Sequence, residues 1–554
     1  MSKAPIGIAA AATFLCPMMA AAQPLAVMPT PYVPPPQIIK PLAVAPATPD
    51  WPTYGYDQQR VGWNRGETVL SKKTVGKLNL LWSAQVTTAA KPLLLSTLTA
   101  PIVVAGVSTP SGVKDLVLTI SIEDTLTALD ADTGAVVWKK TYPNTIKPLR
   151  EASISCSNTE QATPVADKQN GVLYFTTSDG MLRSVALGDG ADRMTPHPMV
   201  QPFSRNWSLN LVDNVVYTTA ARGCGGSAEQ EIENGTVAAI DVSDPTRPEL
   251  SRFYTGKGRP AGPWGGGGVV LGTNGLYVTT ADGPNNPGGG VWGDMVLAIR
   301  PHAWGLSDSF TPPNWRYMFA RDLDLGSGGP LVFSFGARTL LATAAKESVV
   351  YLLDANSLGG LDHQTPLYMS PRLGNDIQDF QAQGVWGGMA SYQNENGERY
   401  LYIPEWGPPR KDGPDYPHRY GDAPNGSIMA YKVVADGEKV AMTPAWISRD
   451  LNIPSPPVVA NGVVYALQTA ESSYQTPKGA DGERLSFDQT ALIRTTPHST
   501  MTLFAFDADT GKELWSSKKV MDGNMVHFTE PVVALGKLFA VDHAGHVWAF
   551  GLKK

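Results

Sequence analysis

Five short stretches of this chain carry side chains that could do chemistry together. In Arg321-Asp322-Leu323-Asp324-Leu325 carboxylates alternate with leucines, and a strand's period of two puts Asp322 and Asp324 on one face. Paired carboxylates suit proton abstraction or a hard cation, and an aspartate capping the loop's backbone amides is the plainer alternative. Ala344-Ala345-Lys346-Glu347 sets a cation against an apolar strand, where an ammonium could polarise a bound oxygen or simply snorkel to solvent. Thr279-Thr280-Ala281-Asp282-Gly283 offers a further hard-oxygen ligand. Ala228-Glu229-Gln230-Glu231 offers two more, or is a solvated acidic loop. Trp264 stands in Gly262-Pro263-Trp264-Gly265-Gly266-Gly267-Gly268, where glycines leave an indole face uncrowded, although Trp264 also reads as a packing anchor.

Other chemistries are excluded by what is missing. Without Cys-x-x-Cys-His the chain attaches no c-type haem, and it has no His-Glu-x-x-His, Walker loop or nucleophile elbow. A net charge of −6 and the lack of a basic helical stripe argue against nucleic acid as a partner. Of three cysteines, Cys16 lies in the N-terminal apolar run, which leaves Cys156 and Cys224 as one disulfide's worth in an oxidising compartment.

The elements that must position these residues are announced by a repeat. Leu126-Thr127-Ala128-Leu129-Asp130-Ala131-Asp132-Thr133-Gly134 leads to Trp138, and Leu503-Phe504-Ala505-Phe506-Asp507-Ala508-Asp509-Thr510-Gly511 leads to Trp515. Weaker copies lie at Val237 to Asp241, Val349 to Asp354 and Ile428 to Tyr431. Each copy reads as strand, Asx-type turn, strand, and Pro456 to Tyr465 adds two strands around Asn461-Gly462. Four strands make a blade. About eight blades of roughly 40 to 60 residues account for the chain from Trp51 onward. The expected fold is therefore all-β, an eight-bladed β-propeller of four-stranded antiparallel blades over 51–554. With 55 glycines, 46 prolines and only 17% charged residues, the composition suits a turn-rich globule. The stretch from Trp51 through Trp82 is expected to pair with the C-terminal strand near Trp548-Ala549-Phe550, closing the ring.

Residues 1–22 read as a secretory signal, with Lys3, an apolar Ile6 to Leu15 and the small run Ala20-Ala21-Ala22. That run is too short, and too soon broken by Pro17, to span a bilayer, so no transmembrane segment is expected in the mature chain. Residues 23–50 read as a Pro-rich tether, with nine prolines from Pro24 to Pro49, extended and unpacked. The expected location is periplasmic or secreted.

The opening Trp51-Pro52-Thr53-Tyr54-Gly55-Tyr56-Asp57 and the repeated Ala-x-Asp-x-x-Thr-Gly-x-x-x-Trp phrases resemble the pyrroloquinoline quinone (PQQ) propellers, the quinoprotein alcohol dehydrogenases and their relatives. The resemblance implies PQQ lying on the axis above a tryptophan, Ca²⁺ bridging it to a glutamate and an asparagine (whose place Asp282 takes here), an aspartate base and a lysine or arginine at the quinone oxygens. By their place in the family's phrases, Trp264 is the floor, Asp282 and Glu229 (or Glu231) the metal ligands, Asp324 the base and a metal neighbour, and Lys346 the cofactor-contacting cation. Cys156 falls where the family carries adjacent cysteines, and a Cys156 to Cys224 bridge would roof the axis instead.

Two functions follow. One is a dehydrogenase oxidising an alcohol or sugar with PQQ and Ca²⁺ and passing electrons to a separate cytochrome or quinone. The other is a propeller without catalysis that binds protein or polysaccharide, because scaffolds of the outer-membrane assembly type share the repeat.

Overall fold

A computed structural model describes residues 47–89, 96–146, 162–221, 235–256, 261–378, 383–437, 439–472 and 485–553. Their strands form the expected eight-bladed propeller, each blade built on four strands. Blade 1 is Ile102–Thr109, Gly112–Ile120, Thr125–Asp130 and Val136–Thr141. Blades 2 to 7 follow in chain order, opening at Val165, Asn210, Val270, Leu331, Gly384 and Val458. Blade 8 takes three strands from the C-terminus, Val532–Ala534, Lys537–Val541 and His546–Leu552, and its outer strand, Leu78–Gln85, from near the N-terminus. A single small sheet cannot bury its own faces, so the core is a set of layers between neighbours. Ile102, Leu118, Leu173 and Phe175 fill the layer between blades 1 and 2, and Val296, Phe310, Leu341 and Tyr351 that between blades 4 and 5.

The repeated phrase is a blade's third strand, turn and fourth strand, and its letters have separate uses. Asp130 Oδ1 accepts the amides of Asp132 and Thr133, and Asp507 Oδ1 accepts those of Asp509 and Thr510, so the aspartate builds the turn. Gly134 and Gly511 follow at φ +72° and +73°, a left-handed conformation that glycine adopts freely. Tryptophan then joins neighbours. Trp82 of blade 8 lies against Gly134 and donates to Ala131 O of blade 1 at 3.1 Å. Trp138 of blade 1 does the same at Gly190 and Leu187 O of blade 2, and Trp446 of blade 6 at Gly511 and Ala508 O of blade 7.

Closure takes place as expected for Trp82, which pairs with Ala549 while Leu80 pairs with Phe550. The residues before it do something else. Trp51–Asn64 runs around the axis and bonds the inner edge of every blade in turn. Trp51 exchanges backbone bonds with Val103, Pro52 O accepts from Ala166, and Thr53 Oγ1 donates to Leu209 O. Gln58 O and Gln59 O accept from Leu271 and Val332, then Val61 O and Gly62 O from Ser391 and Val459. Asn64 Nδ2 finally reaches Val533 O of blade 8. Glu530 fastens the start of this hoop, accepting from Trp51 Nε1 at 3.0 Å and the Gly55 amide at 2.7 Å.

The tether also ends earlier than expected. Asp50 is buried, accepts the Ala105 amide and pairs with Lys168, and Thr48 bonds the Tyr56 hydroxyl, so packing reaches back to Thr48 because these polar groups find partners on blades 1 and 2 and the hoop. The proposed signal and the rest of the tether lie outside the described residues. Among the described residues no helix is long and apolar enough to cross a membrane.

Candidate functional site

Four of the expected residues meet near the axis, on loops of blades 4 and 5. Trp264 enters blade 4 on its glycine run, which the hoop supports: Arg60 Nε donates to Gly267 O at 2.9 Å, and a side chain at Gly266 would collide with the Tyr54 ring. Asp282 follows blade 4's second strand, Leu276–Thr279. Asp324 precedes blade 5, and Lys346 lies in the turn after Arg338–Ala344 rather than opening a strand. The stretch around Asp322 and Asp324 is a loop, not the strand that the alternation suggested. Asp322 takes φ +54°, and Leu323 and Leu325 are buried, so both carboxylates still come to one side because the leucines anchor the loop in the core.

The geometry is tight. Lys346 Nζ lies 2.5 Å from Asp324 Oδ2 and 3.0 Å from Asp322 Oδ1, and it also donates to Asp322 O. Asp324 Oδ1 accepts the Asp282 amide at 2.7 Å. One oxygen each of Asp282, Asp322 and Asp324 falls within 4.8 Å of the others, a hard-oxygen set of the kind Ca²⁺ prefers. Burial, reinforced by Asp324 and Asp322, pushes Asp282 up to about 7. Burial and then Asp324 push Asp322 up to about 6. For Lys346, burial works against the charge, but Asp324 and Asp322 outweigh it and hold the ammonium above its ordinary value. One lysine thus serves three clustered acids, and a divalent cation fits the excess negative charge.

Several contributors carried no signal in the sequence. Asp294 is fully buried, accepts the Leu325 amide through Oδ1 and leaves Oδ2 without a partner among the described residues. Trp207, Trp386, Trp406 and Phe528 assemble with Trp264 from four different blades. Trp264 stacks on Trp207 with centroids 5.7 Å apart, so its ring is more crowded than its glycines suggested. Phe528 packs against all four tryptophans. Lys346 Nζ lies 5.6 Å from the Trp264 ring and 4.6 Å from Trp386. Beyond them His527 Nδ1 meets buried Glu471 at 2.6 Å, with Arg494 on the other Glu471 oxygen. The Trp207 indole N–H is buried without a partner among the described residues. Aromatic rings, a cation and an unanswered donor suit a flat, anionic group such as PQQ. Cys156, Cys224, Glu229 and Glu231 lie outside the described residues.

The family model described as outer membrane protein assembly factor BamB matches residues 71–260. Among solved structures the chain is similar to a quinohemoprotein alcohol dehydrogenase of Pseudomonas putida HK5, at 15% identity and TM-score 0.59, over 91% of this chain and 80% of that one. That of Comamonas testosteroni gives 15% and 0.58, over 92% and 82%. A europium-containing methanol dehydrogenase gives 14% and 0.56, over 91% and 98%. The chain shares the propeller fold of these structures. No curated protein matches the sequence. At such identities the likeness to solved structures extends to the fold alone.

Proposed function

We propose that this propeller is a quinoprotein-like dehydrogenase, oxidising an alcohol or sugar with PQQ and Ca²⁺ and passing electrons to a separate cytochrome or quinone. The observation that carries the reading is the meeting of Asp282, Asp322, Asp324 and Lys346 beside Trp264. Asp282, Asp322 and Asp324 would hold the cation, with Glu229 or Glu231 as a further ligand, and Trp264 and Lys346 would hold PQQ, whose electrophilic carbonyl supplies the hydride acceptor. The chain's own work is the proton. The Asp324 side chain is only 6% exposed and fastened by Lys346, whereas that of Asp322 is 43% exposed, so substrate reaches the pair through Asp322 and Asp324 draws the proton inward. Two of the similar structures are named alcohol dehydrogenases and one a europium-containing enzyme, which supports an alcohol substrate and a hard cation. The proposal includes a periplasmic or secreted location and a Cys156 to Cys224 bridge over the axis.

The test is reconstitution. Purified protein given PQQ and Ca²⁺ should show a bound quinone spectrum and dye-linked alcohol oxidation, and Asp324→Asn should remove turnover while PQQ stays bound. Failure to take up PQQ with Ca²⁺ present removes this reading. A second reading, a binding scaffold for protein or polysaccharide, draws support from the BamB-described match over 71–260 and from the ring packing of Phe528 against Trp264 near the axis.

A further inference from the structure

Behind the three clustered acids lies a further one, Asp294, in Trp292-Gly293-Asp294-Met295 at the head of blade 4's third strand, Val296–Ile299. Its loop is tightly closed. A Cβ at Gly293 would lie 2.2 Å from Gly283 O, the Thr280 amide donates to Met295 O at 2.9 Å, and the Met295 amide donates to Thr280 Oγ1 at 2.9 Å. Within that frame Asp294 takes φ +52°, a conformation uncommon outside glycine and held here by the surrounding bonds. It reaches both loops that carry the acids. Its amide donates to Ala281 O at 3.0 Å, one residue before Asp282, and its Oδ1 accepts the Leu325 amide at 3.1 Å, one residue after Asp324. Both Asp294 and Leu325 are fully buried, so water cannot replace the second bond.

We propose that Asp294 is a positioning residue of the cation site, setting Asp324 against Asp282 and Asp322 by holding the Leu325 amide. The inference rests on the reading above that these three acids hold the cation. Lys346 and the Asp282 amide fix the Asp324 side chain, whereas Asp294 fixes the backbone that follows it. Partners of this kind orient a metal's ligands without touching the metal. A task in the fold alone does not account for an acid here. Asparagine would accept the same amide, while Oδ2 of Asp294 is buried without a partner among the described residues, which is costly until a cation held by its neighbours offsets it.

Terbium titrated into the full chain without PQQ tests it, sensitised luminescence giving the affinity and lifetimes in H2O and D2O giving the waters left on the ion. Asp294→Ala should weaken binding about 10- to 100-fold and add about one water as Asp324 leaves the ion. Asp294→Asn, which still accepts the Leu325 amide, should keep the parent hydration. An Asp294 that serves only the fold would lower the melting temperature of the alanine protein and leave the hydration of its bound ion unchanged, which overturns the proposal; so does a gain of water in Asp294→Asn. Asp294→Ser, too short to reach the amide, carries the same expectation as alanine if that protein does not fold. A parent protein that takes up no terbium removes the cation site and this inference with it, whereas equal binding and hydration in the parent and Asp294→Ala remove the inference alone.

Discussion

Lys346 keeps Asp322 and Asp324 together, and its removal should expose how much they repel. Taking one partner from a buried ion pair costs about 3 to 5 kcal/mol, so Lys346→Ala should melt well below the parent protein, and millimolar Ca²⁺ should restore part of the loss. Unchanged melting would mean that the pair contributes nothing to the fold. The acids themselves predict a pH dependence. Burial and the neighbouring acids push Asp282 up to about 7 and Asp322 up to about 6, and a cation binds their ionised forms. Affinity should therefore rise from pH 5 to pH 8. Indole-sensitised terbium luminescence would read it, with Asp282→Asn both weakening binding and flattening the profile; a level profile in the parent protein would detach the carboxylates from cation binding.

At the scale of the element, the turn that joins blades makes glycine indispensable for two reasons at once. A Cβ on Gly134 would lie 2.6 Å from the Trp82 ring, and its φ is +72°. Gly171 has a similar φ, +66°, but nothing within 4 Å. Gly171→Ala should cost about 1 to 2 kcal/mol for conformation alone, and Gly134→Ala about 2 to 5 kcal/mol with the added overpacking; calorimetric melting of both separates the terms, and equal losses would refute the docking role of Trp82. Because strand, turn, glycine and tryptophan are all local, the blade was readable from sequence, and so were Trp264, Asp282, Asp324 and Lys346, each set in a phrase of its own. Asp294, Trp207, Trp386, Trp406 and Phe528 were not. They meet only through the register of distant blades, which no local pattern encodes. The alternation around Asp322 misled in the opposite way, since buried leucines anchor a loop as readily as they do a strand.

Across the whole molecule, buried acids tie stability to pH. Burial pushes Glu530 up to about 7, Asp124 to about 7 and Glu405 to about 8. Each has a folded value above its unfolded one, so its contribution is complete below about pH 4 and is lost as pH rises through 7 to 8. Melting temperature should fall between pH 5 and pH 8, and Glu530→Gln should lessen that slope; a rising curve would contradict the burial of these groups. The hoop that Glu530 fastens also orders events in time. Trp51 and Glu530 stand 479 residues apart, so at ordinary synthesis rates the first waits roughly 25 to 95 s for the second to be made. Blades can condense locally as they appear, but Trp51–Asn64 has no eighth partner until the last one exists. Once seated, it can leave only by breaking its bonds to eight blades, which makes slow unfolding, rather than a large equilibrium stability, the property by which this chain would outlast proteases.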